Sequence, residues 1–254
     1  MVVGMDKFKA HFAGFEDSFV IIGGAACDLW LASKPGRRFR PTKDIDMVLI
    51  LEPMQPKFLT RIKQFVKDGG YKPYSFQDGG KAYYRFVEPA TTGYPKMIEM
   101  FSGKPLDLKL GKGQTAIPVD DKLKSLSAIL MDDVYHELTL SLREAVYGLP
   151  LITPPGLIAL KVKAWLDLGY RRDAGAAVDL RDIKKHRNDV FRLAELLEEE
   201  TTTTVPERIL ADIRQFLDAM ELDRNEWTGI LQSLGLKGGK IVSGRIEAIR
   251  NHFR

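Results

Sequence analysis

The chain has 254 residues, of which 44% are hydrophobic and 28% are charged, and its formal net charge is +4. These values are those of an ordinary globular protein with one large domain or two modest ones. The one cysteine, Cys27, excludes an internal disulfide and a cysteine-rich metal site. No apolar stretch is long enough to span a membrane, so we expect a cytoplasmic protein without membrane contact.

The first part of the chain alternates strand and helix patterns and predicts a mixed sheet with few helices. Gly-Gly, Pro-Gly and Asp-Gly-Gly sequences separate the predicted elements. The predicted helices cover 5–13, 25–33 and 56–68, and the predicted strands cover 19–22, 45–51, 71–76, 82–86 and 96–101.

After about residue 119 the pattern becomes mainly helical, which predicts an α+β protein with a helical C-terminal region. Residues 120–147 are expected to be mainly helical, and an extended connector beginning at Leu149 leads into a helix over 156–168. A short helix near Asp179 and a longer one from Asp189 to Glu200, with Asn188 as its N-cap, are expected next. These changes divide the chain into regions 1–118, 119–200 and 201–254.

Two carboxylates stand one residue apart at the start of a predicted central strand. Because side chains alternate along a strand, Asp44 and Asp46 share one face. Two like charges beside an apolar strand are costly unless a cation offsets both, and Mg²⁺ prefers carboxylate oxygen. The pattern therefore indicates phosphoryl or nucleotidyl transfer.

Glu99 is a third candidate acid, since its neighbours Ile98 and Met100 are apolar. It either meets Asp44 and Asp46 around metal or is a core acid paired with an arginine such as Arg85. We favour the first interpretation. Asp107 competes with Glu99 but lies in a more polar stretch.

Gly23 and Gly24 come directly before a predicted helix, so the backbone there can approach a phosphate while the helix N-terminus supplies N–H donors. A cluster of basic residues precedes Asp44 and could meet the same anion. Its members are Arg37, Arg38, Arg40 and Lys43.

Lys161 lies on an apolar helix face, where a lysine either extends to the rim or points into a cleft to meet an anion. We favour the cleft. By spacing alone, Asp179 is a helix N-cap and Asp182 a first-turn acid. The basic run 184–187 is then expected to be a solvated helix end.

The pattern Gly23-Gly24, Arg40-x-Thr42-x-Asp44-Ile-Asp46 and Glu99 resembles the nucleotidyltransferase fold of the DNA polymerase β superfamily. The later sequences, Leu157-Ile-Ala-Leu-Lys161 and Val178-Asp-Leu-Arg-Asp182-Ile, resemble the AbiEii-type and MenT-type branch. The resemblance implies a catalytic core over 1–118, a helical region over 119–200 that completes the active site, and a C-terminal helical cap over 201–254.

The resemblance also implies roles for single residues. Asp44 and Asp46 would hold two Mg²⁺ ions, and Glu99 would bind the ion that activates the acceptor. The substrate would be a nucleoside triphosphate such as ATP. The nucleotide-binding residues would be Gly23, Gly24, Arg40, Thr42, Lys161 and Asp182, where Asp182 is preferred to Asp179 because of its Arg-Asp-Ile context.

For the acceptor, the resemblance implies an RNA, notably a tRNA end, or a protein, and a cognate antitoxin as partner. A small-molecule nucleotidyltransferase of the aminoglycoside-modifying kind is the alternative, because it would use the same acids. A non-catalytic nucleotide- or RNA-binding protein ranks last, since all three candidate acids are present.

Overall fold

The computed structural model describes residues 2–36, 39–50, 56–78, 81–102, 115–116 and 132–254. The chain forms two compact units, Met1–Thr153 and Pro154–Arg254. The predicted division into regions 1–118, 119–200 and 201–254 stays a prediction. None of the described helices is both long and apolar enough to cross a membrane.

The first unit contains a sheet and four described helices, which confirms the predicted mixed-sheet, α+β character. The helices begin and end close to the predicted positions up to residue 69. The elements in chain order are α1 (Met5–Phe12), β1 (Phe19–Ile22), α2 (Gly23–Ala32), β2 (Asp44–Leu49), α3 (Pro56–Gly69), β3 (Lys72–Asp78), β4 (Lys81–Val87), β5 (Met97–Ser102), β6 (Thr115–Ala116), α4 (Asp133–Ser141), β7 (Arg143–Val146) and β8 (Leu149–Ile152).

The described strands form one sheet in the order β6-β3-β4-β5-β2-β1-β8-β7. β2 runs antiparallel to β1 and parallel to β5, and β5 runs antiparallel to β4. β1 is central, and its four residues are completely buried, as expected for an uninterrupted apolar strand with neighbours on both sides. This order places the start of β2 between β1 and β5.

Aromatic packing holds α1 and α3 against the sheet. Phe8 and Phe12 of α1 have ring centroids 4.6 Å apart, and Phe12 also packs on Phe58 and Phe65 of α3. Phe19 of β1 stacks on Phe58 with centroids 5.9 Å apart. These rings are almost fully buried, so they form a core that fixes β1 beneath the two helices.

The prediction of helix over 120–147 is wrong at its end. The helix α4 ends at Ser141, and β7 and β8 form a hairpin through Tyr147 and Gly148, which have φ of +52° and +71°. The expected connector at Leu149 is strand β8, which pairs in parallel with β1. Residues 120–131 of the predicted helix lie outside the described residues.

The second unit is built from helices, which confirms the predicted helical C-terminal region. Its α-helices are α5 (Pro154–Asp173), α6 (Leu180–Leu193), α7 (Glu207–Leu222), α8 (Glu226–Leu234) and α9 (Lys240–His252).

Asn188 does not begin a helix, because α6 continues through it. Its side-chain oxygen accepts hydrogen bonds from the Arg187 guanidinium at 3.0 and 2.8 Å instead of capping a helix. Asp179 caps α6 as predicted, since its carboxylate accepts from the backbone N–H of Arg181 at 2.8 Å. The predicted short and long helices are therefore one helix.

The end of α9 is tied to the segment that precedes α7. The His252 carbonyl accepts from the Thr203 N–H at 2.8 Å, and His252 Nε2 lies 2.9 Å from Thr203 Oγ1. His252 is 5% exposed. Burial lowers the pKa of His252, and the neighbouring backbone of Glu198 and Thr201 offsets only part of that effect.

We expect His252 to make the chain less stable in mild acid. Because its pKa is lower in the folded state, the unfolded chain takes up the proton first as the pH falls below about 6.5. The stability that neutral His252 contributes is present above that pH and is lost as the pH falls toward the pKa of His252 in the folded state. Urea unfolding at pH 7.5 and 5.5 should show a larger drop in the free energy of unfolding for the natural chain than for His252→Gln. Equal drops would contradict the prediction.

Candidate active site

The turn between β1 and α2 places the backbone against the Asp46 carboxylate. Ile22, the last residue of β1, pairs with Asp46 on antiparallel β2, and Gly23 follows with φ of +67°. A Cβ at position 23 would overlap the carboxylate of Asp46. Glycine is required here because the backbone is left-handed and the carboxylate leaves no room for a side chain.

Gly24 approaches the segment before β2 just as closely. A Cβ at position 24 would lie 2.7 Å from Thr42 Oγ1. The helix α2 begins at Gly23, and its N-cap residue Ile22 supplies no side-chain hydrogen bond to the first turn. The first N–H groups of a helix are natural donors to an anion. The structure thus brings Gly23, Gly24, Thr42 and Asp46 together.

Asp44 and Asp46 lie two residues apart on β2, so their side chains share a face. Both are half-buried, whereas Ile45 between them is fully buried. On the parallel strand β5, Glu99 is the direct partner of Asp46. Since lateral partners in a sheet project to the same side, Glu99 and Asp46 are neighbours on the face that carries Asp44.

Glu99 is held by two side chains of β4. It is 5% exposed and accepts a hydrogen bond from Arg85 Nε at 2.8 Å and another from the Tyr83 hydroxyl. Arg85 is its cross-strand partner. Burial by itself would lower the pKa of Arg85, but the Tyr83 oxygen and the Glu99 carboxylate raise it above its ordinary value. The ion pair with Arg85, considered as the alternative for Glu99, is therefore present.

Among the residues that the structure describes, no three acidic, histidine or cysteine side chains converge closely enough to hold a metal ion. The Glu99 carboxylate contacts the Arg85 guanidinium on β4. The predicted metal role of Glu99 stays a prediction.

The basic segment before β2 is described in part. Arg40 is half-buried, and its guanidinium lies 4.8 Å from the centre of the Phe39 ring. It precedes Thr42 by two residues, and its nucleotide-binding role stays a prediction. Arg37, Arg38 and Asp107 lie outside the described residues.

In the second unit, Lys161 forms a buried ion pair that the sequence analysis missed. Its Nζ lies 3.1 Å from Asp189 Oδ2, and the two side chains are 1% and 0% exposed. Arg192 approaches the other oxygen of Asp189 at 3.4 Å. Asp189 follows the polar residues His186, Arg187 and Asn188, so its sequence neighbours do not indicate burial as those of Glu99 do. Any phosphate bound by Lys161 would have to compete with Asp189.

The other predicted residues of this unit lie on α6. Asp182 is half-buried in the first turn. Asp179 is the N-cap, and hydrogen bonds from Arg181 lower the pKa of its carboxyl. The nucleotide-binding assignment of Asp182 stays a prediction.

The expected solvated basic end is wrong for two of its four residues. Lys184 and Lys185 are exposed, but His186 and Arg187 are buried. Arg187 forms an ion pair with Glu226 of α8, which explains how its charge is accommodated.

A family profile described as nucleotidyl transferase AbiEii toxin, type IV toxin–antitoxin system, matches residues 8–240. The chain belongs to the AbiEii family. It is therefore a nucleotidyltransferase of a toxin–antitoxin type. No curated protein matches the chain. A similar solved structure is that of an antigenic nucleotidyltransferase-like protein from Paracoccidioides brasiliensis, at 15% identity and a TM-score of 0.42, covering 95% of this chain and 94% of the other.

The carboxylates of this AbiEii-family chain suit a divalent cation that is bound together with substrate. Mg²⁺ is commonly held by one or two carboxylates plus phosphate oxygens of the substrate. Asp44 and Asp46 are two such carboxylates on one face, beside a glycine turn whose backbone closely approaches Asp46. The donor set therefore fits Mg²⁺ without a third ligand from the chain.

The buried ion pair in the AbiEii-family chain leads to a prediction about stability. Lys161→Met should lower the free energy of unfolding by about 3 kcal/mol, because Asp189 would keep a buried charge without the lysine that now lies 3.1 Å from it. The double variant Lys161→Met/Asp189→Asn should recover part of this loss. Urea unfolding of the four proteins in the cycle measures both effects, and a purely additive cycle would contradict the prediction.

Proposed function

We propose that this chain transfers a nucleoside monophosphate from a nucleoside triphosphate to RNA, with tRNA as the leading candidate, in a Mg²⁺-dependent reaction. The observation that carries the proposal is the contact between the Gly23 backbone and the Asp46 carboxylate. In this proposal the turn binds phosphate and Asp46 binds the metal ion, and nucleotidyl transfer needs both functions at the same phosphate.

In the proposed reaction each residue acts on the triphosphate or on the acceptor. The N–H groups at the start of α2, beginning at Gly23 and Gly24, donate to phosphate oxygens, and Thr42 and Arg40 support the same anion. Asp44 and Asp46 would hold Mg²⁺, which neutralises charge on the phosphates when bound.

The acceptor hydroxyl oxygen forms a bond to the α-phosphorus on the side opposite the leaving group. The bond from that phosphorus to the bridging oxygen breaks, and pyrophosphate leaves with the electron pair. In this proposal, Glu99 takes the hydroxyl proton. The reaction needs triphosphates, so we propose the cytoplasm as its location.

RNA is the acceptor that the charge of the chain favours. The net charge is +4, and the exposed residues of α6 include Arg181, Lys184 and Lys185. Basic surfaces attract a phosphate backbone. The family also implies an antitoxin that prevents the harmful consequences of transfer.

Labelled nucleotides provide the test. The chain is incubated with Mg²⁺ and each α-labelled nucleoside triphosphate in turn, and total tRNA, a protein lysate and the enzyme itself are offered separately. Label on tRNA supports the proposal and identifies the nucleotide.

If only protein takes up label, the chain is still a nucleotidyltransferase, but its acceptor is protein and not RNA. If no macromolecule takes label but an aminoglycoside does, the small-molecule alternative replaces the proposal. Binding of RNA without any turnover would favour the non-catalytic alternative.

A further inference from the structure

Three charged side chains form a row across neighbouring strands of the first unit. Asp46 of β2 pairs with Glu99 of β5, and Glu99 pairs with Arg85 of β4. Lateral partners project to one side of a sheet, so two carboxylates and a guanidinium lie side by side on one face. Arg85 therefore belongs to the surroundings of the proposed metal site.

The ion pair in this row is largely withdrawn from water. The Arg85 and Glu99 side chains are 16% and 6% exposed, and Arg85 Nε lies 2.8 Å from Glu99 Oε1. The Tyr83 hydroxyl donates to the same oxygen. Charges that are shielded from solvent act on each other more strongly than exposed ones. A fixed cation at this position must therefore weaken the attraction of the row for a second cation.

We infer that Arg85 is a positioning residue that limits the affinity of the site for divalent cations, because it neutralises and orients Glu99. This inference rests on the proposed function, since it assumes a divalent cation at Asp44 and Asp46. Its consequence is that the cation binds tightly only when the triphosphate adds its own negative charge. Tyr83 assists by holding the Glu99 carboxylate toward β4.

The inference predicts opposite effects for the two members of the ion pair. Arg85→Gln removes the fixed positive charge and should tighten divalent-cation binding about ten-fold. Glu99→Gln leaves the guanidinium uncompensated and should weaken it about ten-fold. The double variant Arg85→Gln/Glu99→Gln has the net charge of the natural row and should return close to the natural affinity. Arg85→Lys keeps the charge and should change the affinity less than about three-fold.

The experiment is a titration of the full chain with Mn²⁺ in the absence of nucleotide, with free Mn²⁺ measured by its electron paramagnetic resonance signal. The natural chain, the four variants and Asp46→Asn are compared, and circular dichroism checks that each is folded. The binding readout does not require catalysis. Tighter binding by Arg85→Gln together with weaker binding by Glu99→Gln supports the inference.

If Arg85 only stabilises the fold, the variants should show a different pattern of Mn²⁺ binding. Arg85→Gln would then bind Mn²⁺ as the natural chain does or more weakly, and this overturns the inference while nucleotidyl transfer by the natural chain stands. If Arg85→Gln does not fold, unchanged binding by Glu99→Gln overturns the inference. If the natural chain and Asp46→Asn bind Mn²⁺ equally, the proposed metal assignment fails, and the inference fails with it.

Discussion

Asp46→Asn should lower nucleotidyl transfer by about 1,000-fold while the fold is retained. Asparagine has the shape of aspartate but lacks the negative charge by which the carboxylate would hold the divalent cation. Asp46 lies at the centre of the site, because it contacts the Gly23 turn and is the lateral partner of both Ile22 and Glu99. The measurement is label transfer from the α-labelled nucleotide at saturating Mg²⁺.

Asp68→Asn is the matched control, since Asp68 is an exposed carboxylate on α3 that accepts only a local bond from Gln64 at 2.6 Å among the bonds described. The Asp68→Asn variant should transfer label at the same rate as the natural chain. The free energy of unfolding of Asp46→Asn should stay within about 1 kcal/mol of the natural value, because the substitution is isosteric and removes one of two neighbouring like charges. Retention of full transfer by Asp46→Asn would show that the metal assignment is wrong.

Gly23→Ala should also lower transfer strongly, because it changes the geometry of the site. The added methyl group would overlap the Asp46 carboxylate, and the backbone φ of +67° is unfavourable for alanine. The carboxylate must move or the turn must open, and either change separates the phosphate-binding turn from the acid. We expect a loss of at least about 100-fold in transfer and about 2–4 kcal/mol in the free energy of unfolding.

Gly14→Ala separates the effect of a left-handed backbone from the effect of overlap with a carboxylate. Gly14 has φ of +84°, but a Cβ there would meet nothing within 4 Å. It should cost only the left-handed backbone penalty of about 1 kcal/mol and leave transfer unchanged. Equal effects of the two substitutions on transfer would contradict the steric role assigned to Gly23.

The local patterns of the chain were sufficient to predict most of the first unit up to Ser102. The apolar run of β1, the two glycines and the alternation that puts Asp44 and Asp46 on one face all act over a few residues. The β7–β8 hairpin was not predicted, because β7 is mostly exposed, β8 contains Pro150, and β8 is stabilised by pairing with distant β1.

The partners of the buried charges depend on tertiary structure. The pairing of Arg85 with Glu99 requires the register of β4 on β5, and the sequence allowed it only as an alternative. Asp189 lies 28 positions after Lys161, and the pair forms because α5 and α6 pack together. An isolated charge on an apolar face predicts that a partner exists, but only the packing identifies it.

The burial of Lys161 makes this side chain a reporter of motion in the second unit. Amine-reactive reagents require a solvent-exposed, neutral amine, and Lys161 is 1% exposed against Asp189. Brief treatment with such a reagent should therefore modify Lys184 and Lys185 and leave Lys161 intact. The rate at which Lys161 is later modified would measure how often α5 and α6 separate, and its dependence on added nucleotide would show whether the ion pair opens when substrate binds.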